Sequence, residues 1–105
     1  IFSEHIGNSF LPVMLELVSG TEIQLVFVKV QNRPNPDGTQ RTRIGISKYT
    51  DELQVYLESH GAGYIDMTGT PEITLDKYLD GDHIVHSFMS EYTELFTKKT
   101  TELSR

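Results

Sequence analysis

Residues 78–87, YLDGDHIVHS, place two carboxylates and two imidazoles within seven positions: Asp80, Asp82, His83 and His86. Residues of these types so close together admit three readings: a proton-transfer site, a metal site, or a polar loop without chemistry. For proton transfer the informative spacing is Asp80-Gly-Asp-His83, a carboxylate three residues before an imidazole. In a tight turn that separation lets a carboxylate oxygen accept a hydrogen bond from Nδ1–H. Nε2 is then left to take a proton from a hydroxyl nucleophile. Gly81 permits the sharp turn. On this reading Asp82 points away as a solvated or capping residue, and His86 is packed or exposed rather than catalytic. Asp-x-x-His also arises by chance, and Asp-Gly is common in ordinary turns, so the polar loop stands beside the site as an alternative.

The metal reading fares worse. A calcium loop needs oxygen ligands at its first, third and fifth positions, a glycine at the sixth and a glutamate at the twelfth. Counting from Asp80 puts Asp82 and Glu91 in place but leaves Ile84 and Val85 at the fifth and sixth. Counting from Asp76 places Asp80 and Gly81 correctly but leaves Tyr78 at the third and Ser87 at the twelfth. His83 and His86 with one carboxylate form only a bare zinc pattern. No metal and no cofactor is expected.

The elements that would position such a site follow from the rest of the chain. Its 105 residues suffice for one domain with a modest core, and 37% hydrophobic residues are enough to build that core. A formal charge of −6 argues against nucleic acid or an anionic membrane as partner, since both reward clustered Lys and Arg. The longest apolar run, around Leu25–Val28, is far too short for membrane insertion, and no signal peptide is visible. The absence of cysteine removes disulfides and thiolate chemistry. The chain begins at Ile1 rather than at a methionine, which reads as a fragment or cleaved product of something longer.

Phe10, Val13, Met14 and Leu17 share one face of a predicted first helix, with Asn8 or Ser9 as cap, Pro12 in the first turn and Gly20 as the stop. EIQLVFVKV predicts a central strand buried on both faces. The Pro- and Gly-rich segment 31–43 is a loop. Tyr49, Leu53, Tyr56 and Leu57 predict a second helix near residues 47–60, capped by Ser47 and ended by Gly61. GYIDM is a second short strand. Residues 68–83 read as a long irregular connection with a brief extended piece at Ile73–Leu75. A last helix starts near Ser87, with Phe88, Tyr92, Leu95 and Phe96 as its stripe and Ile84 beneath its start. Two apolar strands joined by a helix imply parallel pairing and a three-layer α/β/α arrangement. Chemistry in open α/β sheets gathers beyond the carboxyl ends of the strands, and the Asp80–His86 cluster lies on the loop that leaves the second strand.

YIDMTG, a spacer, YLDGDHIVHS and a terminal amphipathic helix together resemble the carboxyl-terminal part of SGNH/GDSL hydrolases. The nearest branch is the O-acetyltransferase-like one that modifies bacterial cell-surface polysaccharides. GTEIQLVFVKVQNRP resembles that family's penultimate core strand, and YTDELQVYLESHGAGYIDM the helix and strand after it. The resemblance spans most of the chain and implies a partial, flavodoxin-like SGNH sheet, either as a single domain over 1–105 or as the carboxyl-terminal part of a larger one. It implies a small-molecule or polysaccharide ester as substrate and an extracytoplasmic or periplasmic location. His83 would be the base and Asp80 its orienting acid. The family's Gly-Asp-Ser-like nucleophile block has no counterpart in these residues, nor have its oxyanion-hole glycine and asparagine. The resemblance therefore implies half a site, inactive alone as an esterase; the contrasting expectation is a non-catalytic α/β binding or interaction module.

Arg33, Arg41 and Arg43 stand close together in an acidic chain, either to clamp a substrate carboxylate or as scattered charge on a solvated loop. Asp66 either orients a catalytic group or, the favoured reading, caps the turn after the second strand, and Lys98 and Lys99 are expected to complement the dipole of the last helix. A truncated sheet would leave an edge on which a second copy could pair as a homodimer.

Overall fold

The structure is a computed structural model and describes residues 2–41 and 44–103. In order, the elements are α1 (Phe2–Gly7), α2 (Leu11–Val18), β1 (Val26–Lys29), α3 (Ile44–Ser59), β2 (Gly63–Asp66), β3 (Tyr78–Asp80), β4 (His83–Ile84) and α4 (Met89–Leu103). Short 3-10 turns precede β3 and α4 at Leu75–Lys77 and His86–Phe88. Strands β1 and β2 form one two-stranded sheet, β3 and β4 another. Gly63 N–H donates to the Leu25 carbonyl and Met67 N–H to that of Lys29. Donors four apart meet acceptors four apart in the same direction, so β1 and β2 run parallel, with α3 as their crossover. The chain is thus α/β, with a small parallel pair and an antiparallel hairpin. Among the described residues no helix is long and apolar enough to cross a membrane.

Two compact units divide within β1 and within β2: residues 1–27 with 43–64, and residues 28–42 with 65–105. The first packs Leu15, Leu57, Ala62 and Tyr64 as its core, flanked by Leu11, Leu25, Phe27, Leu53 and Tyr56. Helix α3 contributes Leu53, Tyr56 and Leu57, on the face that its apolar spacing predicts. It starts at Ile44, so Ser47 lies inside it and caps nothing. Its end follows from Gly61, whose φ of +82° opens the left-handed conformation. Ala62 N–H then reaches the Leu57 carbonyl and Gly61 N–H that of Glu58, while Ala62 and Leu57 meet in the core.

Helix α2 forms where expected but turned over. Ser9, not Asn8, makes its entry: Ser9 Oγ donates to the Ile6 carbonyl and accepts from Leu11 N–H. Leu15 is buried, whereas Phe10 and Leu17 are 83% and 74% exposed and Val13 and Met14 face solvent with them. The four-residue stripe is therefore the outer face. Strand β1 also departs from expectation. Leu25 and Phe27 pack inward, but Val26, Val28 and Val30 are exposed. A two-stranded sheet covered on one side cannot bury both faces of a strand.

In the second unit Ile65, Met67, Ile73, Tyr78 and Phe88 form the core, with Ile84, Val85, Tyr92, Leu95 and Phe96 packed against it. The stripe of α4 and the place of Ile84 agree with their spacing. The connection 68–83 is more ordered than expected. Within the piece expected to be extended, Ile73–Leu75, Thr74 is extended, but the Ile73 N–H closes a turn on Thr70, Leu75 opens a 3-10 turn, and the β3–β4 hairpin follows.

Candidate functional site

The Asp80/His83 pair owes its geometry to an irregularity in the hairpin. Tyr78 pairs with Ile84, and Asp80 with His83. Two steps along β3 thus answer one step along β4, and Leu79 is the extra residue. In a regular strand Tyr78 and Asp80 would project from the same face. Tyr78 and Ile84 face the core, so Asp80 would follow them inward, away from His83. The bulge cancels that alternation and turns Asp80 outward onto the face of His83. Between them, Gly81 takes φ +47° and no other residue in the turn has positive φ. That sign pattern belongs to the two-residue hairpin turn that needs glycine first.

The outcome is a contact of 2.8 Å between Asp80 Oδ1 and His83 Nδ1. A carboxylate only accepts, so Nδ1 carries the hydrogen and Nε2 presents its lone pair. Both side chains are open to water, 75% exposed for Asp80 and 84% for His83. Among the described residues no hydroxyl is hydrogen-bonded to His83. The pair as it stands can orient an imidazole and exchange a proton at Nε2. Attack on a carbonyl needs a nucleophile from elsewhere.

The other predicted residues separate. His86 sits exposed in the 3-10 turn before α4, and among the described residues no three His, Asp or Glu side chains group to hold a metal ion. Asp82 is not simply solvated: its Oδ1 accepts the backbone N–H of Arg33 at 2.7 Å. That bond joins the two loops leaving the carboxyl ends of the parallel strands, the region where open α/β sheets build their sites. Arg33 is thereby brought to the hairpin through its main chain. Arg41 is exposed, with no ion pair among the described residues, and Arg43 lies outside them. The loop between is closed on itself, since Asp37 accepts from Thr39 N–H and Asn35 Nδ2 donates to Thr39 Oγ1. The Thr39 hydroxyl beside Asp37 holds its carboxyl below the usual range. Asp66 does cap its turn, accepting from Thr68 N–H and Oγ1.

Gln31 is the positioning residue that the sequence did not single out. Only 5% exposed, it donates from Nε2 to the Ile73 carbonyl and accepts Thr70 N–H at Oε1. Its own carbonyl accepts the Tyr78 hydroxyl at 2.8 Å. The side-chain amide thus pairs the Thr70 N–H and the Ile73 carbonyl, while the backbone carbonyl of the same residue holds Tyr78 at the hairpin's base. Desolvation, reinforced by Tyr92 and Asp82 nearby, raises the pKa of Tyr78. The signal for Gln31 was its place: the first polar residue after an apolar strand, where a buried amide has loop carbonyls within reach.

No family model, no curated protein and no solved structure matches this chain.

Proposed function

We propose that the chain is the base-bearing half of an SGNH-like ester hydrolase or O-acyltransferase. The observation behind this reading is the 2.8 Å contact between Asp80 Oδ1 and His83 Nδ1, made by an Asp-x-x-His motif ahead of the last helix. A serine from outside these residues gives its hydroxyl proton to His83 Nε2 as its oxygen attacks the ester carbonyl. The proton passes to the departing alkoxide as the ester C–O bond breaks, which leaves an acyl-serine. Water or an acceptor hydroxyl then repeats the exchange. Asp80 holds Nδ1–H throughout, which leaves Nε2 to take and return the proton, and stabilises the imidazolium between the two transfers. The finer architecture belongs to the same proposal: further parallel strands complete a three-layer sheet and cover the valine face of β1.

An activated acetyl ester tests it. The 105-residue chain alone should turn over no faster than its His83→Ala variant. Joined to a segment bearing a Gly-Asp-Ser-like block, it should gain turnover that His83→Ala lowers by about 10²–10⁴-fold. His83-dependent turnover by the isolated chain would sink the half-site reading.

A second reading, a non-catalytic α/β interaction module, draws on the 83% and 74% exposure of Phe10 and Leu17. Apolar side chains gathered on one outer face favour a protein contact, including a second copy of the chain. Sedimentation over a wide concentration range separates the readings. Self-association abolished by Phe10→Ser and Leu17→Ser, with no ester chemistry in the joined protein, would favour the module.

A further inference from the structure

We propose that Asp82 is a positioning residue. Anchored on the Arg33 backbone N–H, its carboxylate holds the Gly81–Asp82 turn in the shape that keeps Asp80 on His83. The inference concerns the site proposed above but is read from hydrogen bonding within the folded chain, and it stands whether or not that site cleaves esters.

The hairpin cannot hold its own tip. Strands of three and two residues give a ladder too short to be stable by itself. Its base is fixed, because Tyr78 and Ile84 pack in the core, Tyr78 OH donates to the Gln31 carbonyl and Val85 N–H to that of Lys77. Its tip carries a pair so exposed that water competes for both partners, and exposed ion pairs order little on their own. The Asp82–Arg33 bond ties that tip to the other loop, across 49 positions of sequence.

The anchor itself is held. Arg33 lies between Gln31, fixed by three hydrogen bonds, and the buried Pro34. A proline's φ is set by its ring, so the donor is presented from a segment with little freedom. The bond is exposed like the pair it steadies, but it is charge-assisted, and its donor is a main-chain N–H already held in place, so no second side chain has to be ordered to make it. Asp82 is the second residue of the two-residue turn that separates Asp80 from His83. Fixing its side chain fixes the turn, and with it the facing of the two site residues.

Imidazole ¹⁵N spectra and amide hydrogen exchange test this on the intact chain. In the native protein His83 should be mainly the Nδ1–H tautomer and the Arg33 amide protected. Asp82→Ala should lower the His83 tautomer ratio and speed Arg33 exchange, each on the order of tenfold, the scale of one lost charge-assisted hydrogen bond. Asp82→Asn keeps a side-chain oxygen acceptor and should restore both. Asp80→Ala should lose the tautomer preference but keep Arg33 protected, which separates the clamp from the pair. His60, bonded to its own helix, is the internal reference and should not change. An unaltered His83 ratio in Asp82→Ala would overturn the proposal, as would an Arg33 amide equally unprotected in the native chain. Should Asp82→Ala unfold the hairpin, Asp82→Asn decides: a near-native ratio supports the clamp, and the ratio of a free histidine overturns it. Absence of ester turnover in the joined protein would count against the proposed function and leave these results standing.

Discussion

His60 and His83 offer the same ring atom to an oxygen at the same distance, 2.8 Å, and both rings are exposed. What differs is the acceptor. Nδ1 of His60 donates to the Tyr56 carbonyl at the end of α3, and the ring lies over that of Tyr56 with centroids 4.3 Å apart. A carbonyl at a helix terminus carries a partial charge and satisfies a backbone group left open by the helix. Nδ1 of His83 meets a carboxylate, a full charge on a side chain rather than a partial one on the main chain. Ser59, the neighbour of His60, bonds to the same end of the helix: its Oγ donates to the Tyr56 carbonyl at 2.7 Å and sits 3.1 Å from Nδ1, the nitrogen already engaged. Two histidines with matching distances therefore differ in what holds them, one bonded to the end of its own helix and the other to a carboxylate across a turn.

The comparison rests on each imidazole being held by its own core, and the largest test removes those cores one at a time. Phe88, 3% exposed, packs in the core with Tyr78 of the hairpin, and Leu57, fully buried, packs the last turns of α3 onto Leu15, Ala62 and Tyr64. Phe88→Ala should cost about 3–5 kcal/mol and Leu57→Ala about 2–5 kcal/mol, measured by urea denaturation. Amide exchange should rise first at Val85 in Phe88→Ala and first at Ala62 in Leu57→Ala. Equal effects at both amides in both variants would mean that the two regions do not hold their histidines separately.

A subtler pair acts on the turns. Gly61 and Gly81 have φ of +82° and +47°, and an added Cβ would meet nothing within 4 Å at either. Alanine at each position should therefore cost only backbone strain, about 1–2 kcal/mol. Gly61→Ala should change the ¹⁵N signature of His60 and Gly81→Ala that of His83, without crossing over.

The smallest effect concerns the hairpin's base. Tyr78→Phe removes one buried hydrogen bond, about 1 kcal/mol. It should also change the alkaline side of the stability curve. Desolvation raises the pKa of Tyr78 above its ordinary value of 10.0. The native chain then keeps this contribution below about pH 10 and loses it as pH rises through the higher folded value. Thermal melts between pH 9 and 11 should show that loss in the native protein and a flatter course in Tyr78→Phe, a range chosen around the ordinary tyrosine value.

Helix periodicity was legible where a helix packs one face on a core, as Leu53 and Leu57 in α3 or Leu95 and Phe96 in α4 show. It misled in α2, where the stripe of Phe10, Val13, Met14 and Leu17 is real but turned outward. A periodic pattern defines a face without saying what the face meets. The hairpin escaped notice because β3 and β4 have three and two residues, too few for alternation to be seen, and the bulge at Leu79 breaks what alternation there is. Gln31 and the second role of Asp82 were hidden for another reason, since both depend on partners about forty to fifty positions away.

The chain's order of residues fixed what is local: the apolar face of each longer helix, the glycine that turns each corner, and an acid three places from an imidazole. Tertiary structure decided which face of that hairpin the acid would take. Strict alternation sends Asp80 inward with Tyr78. One extra residue, in a hairpin tied at its base by the Tyr78 hydroxyl on the Gln31 carbonyl and at its tip by Asp82 on the Arg33 N–H, turns it outward to His83. Facing depends on how two strands register against a core, and register is a property of the packed pair that neither strand carries alone.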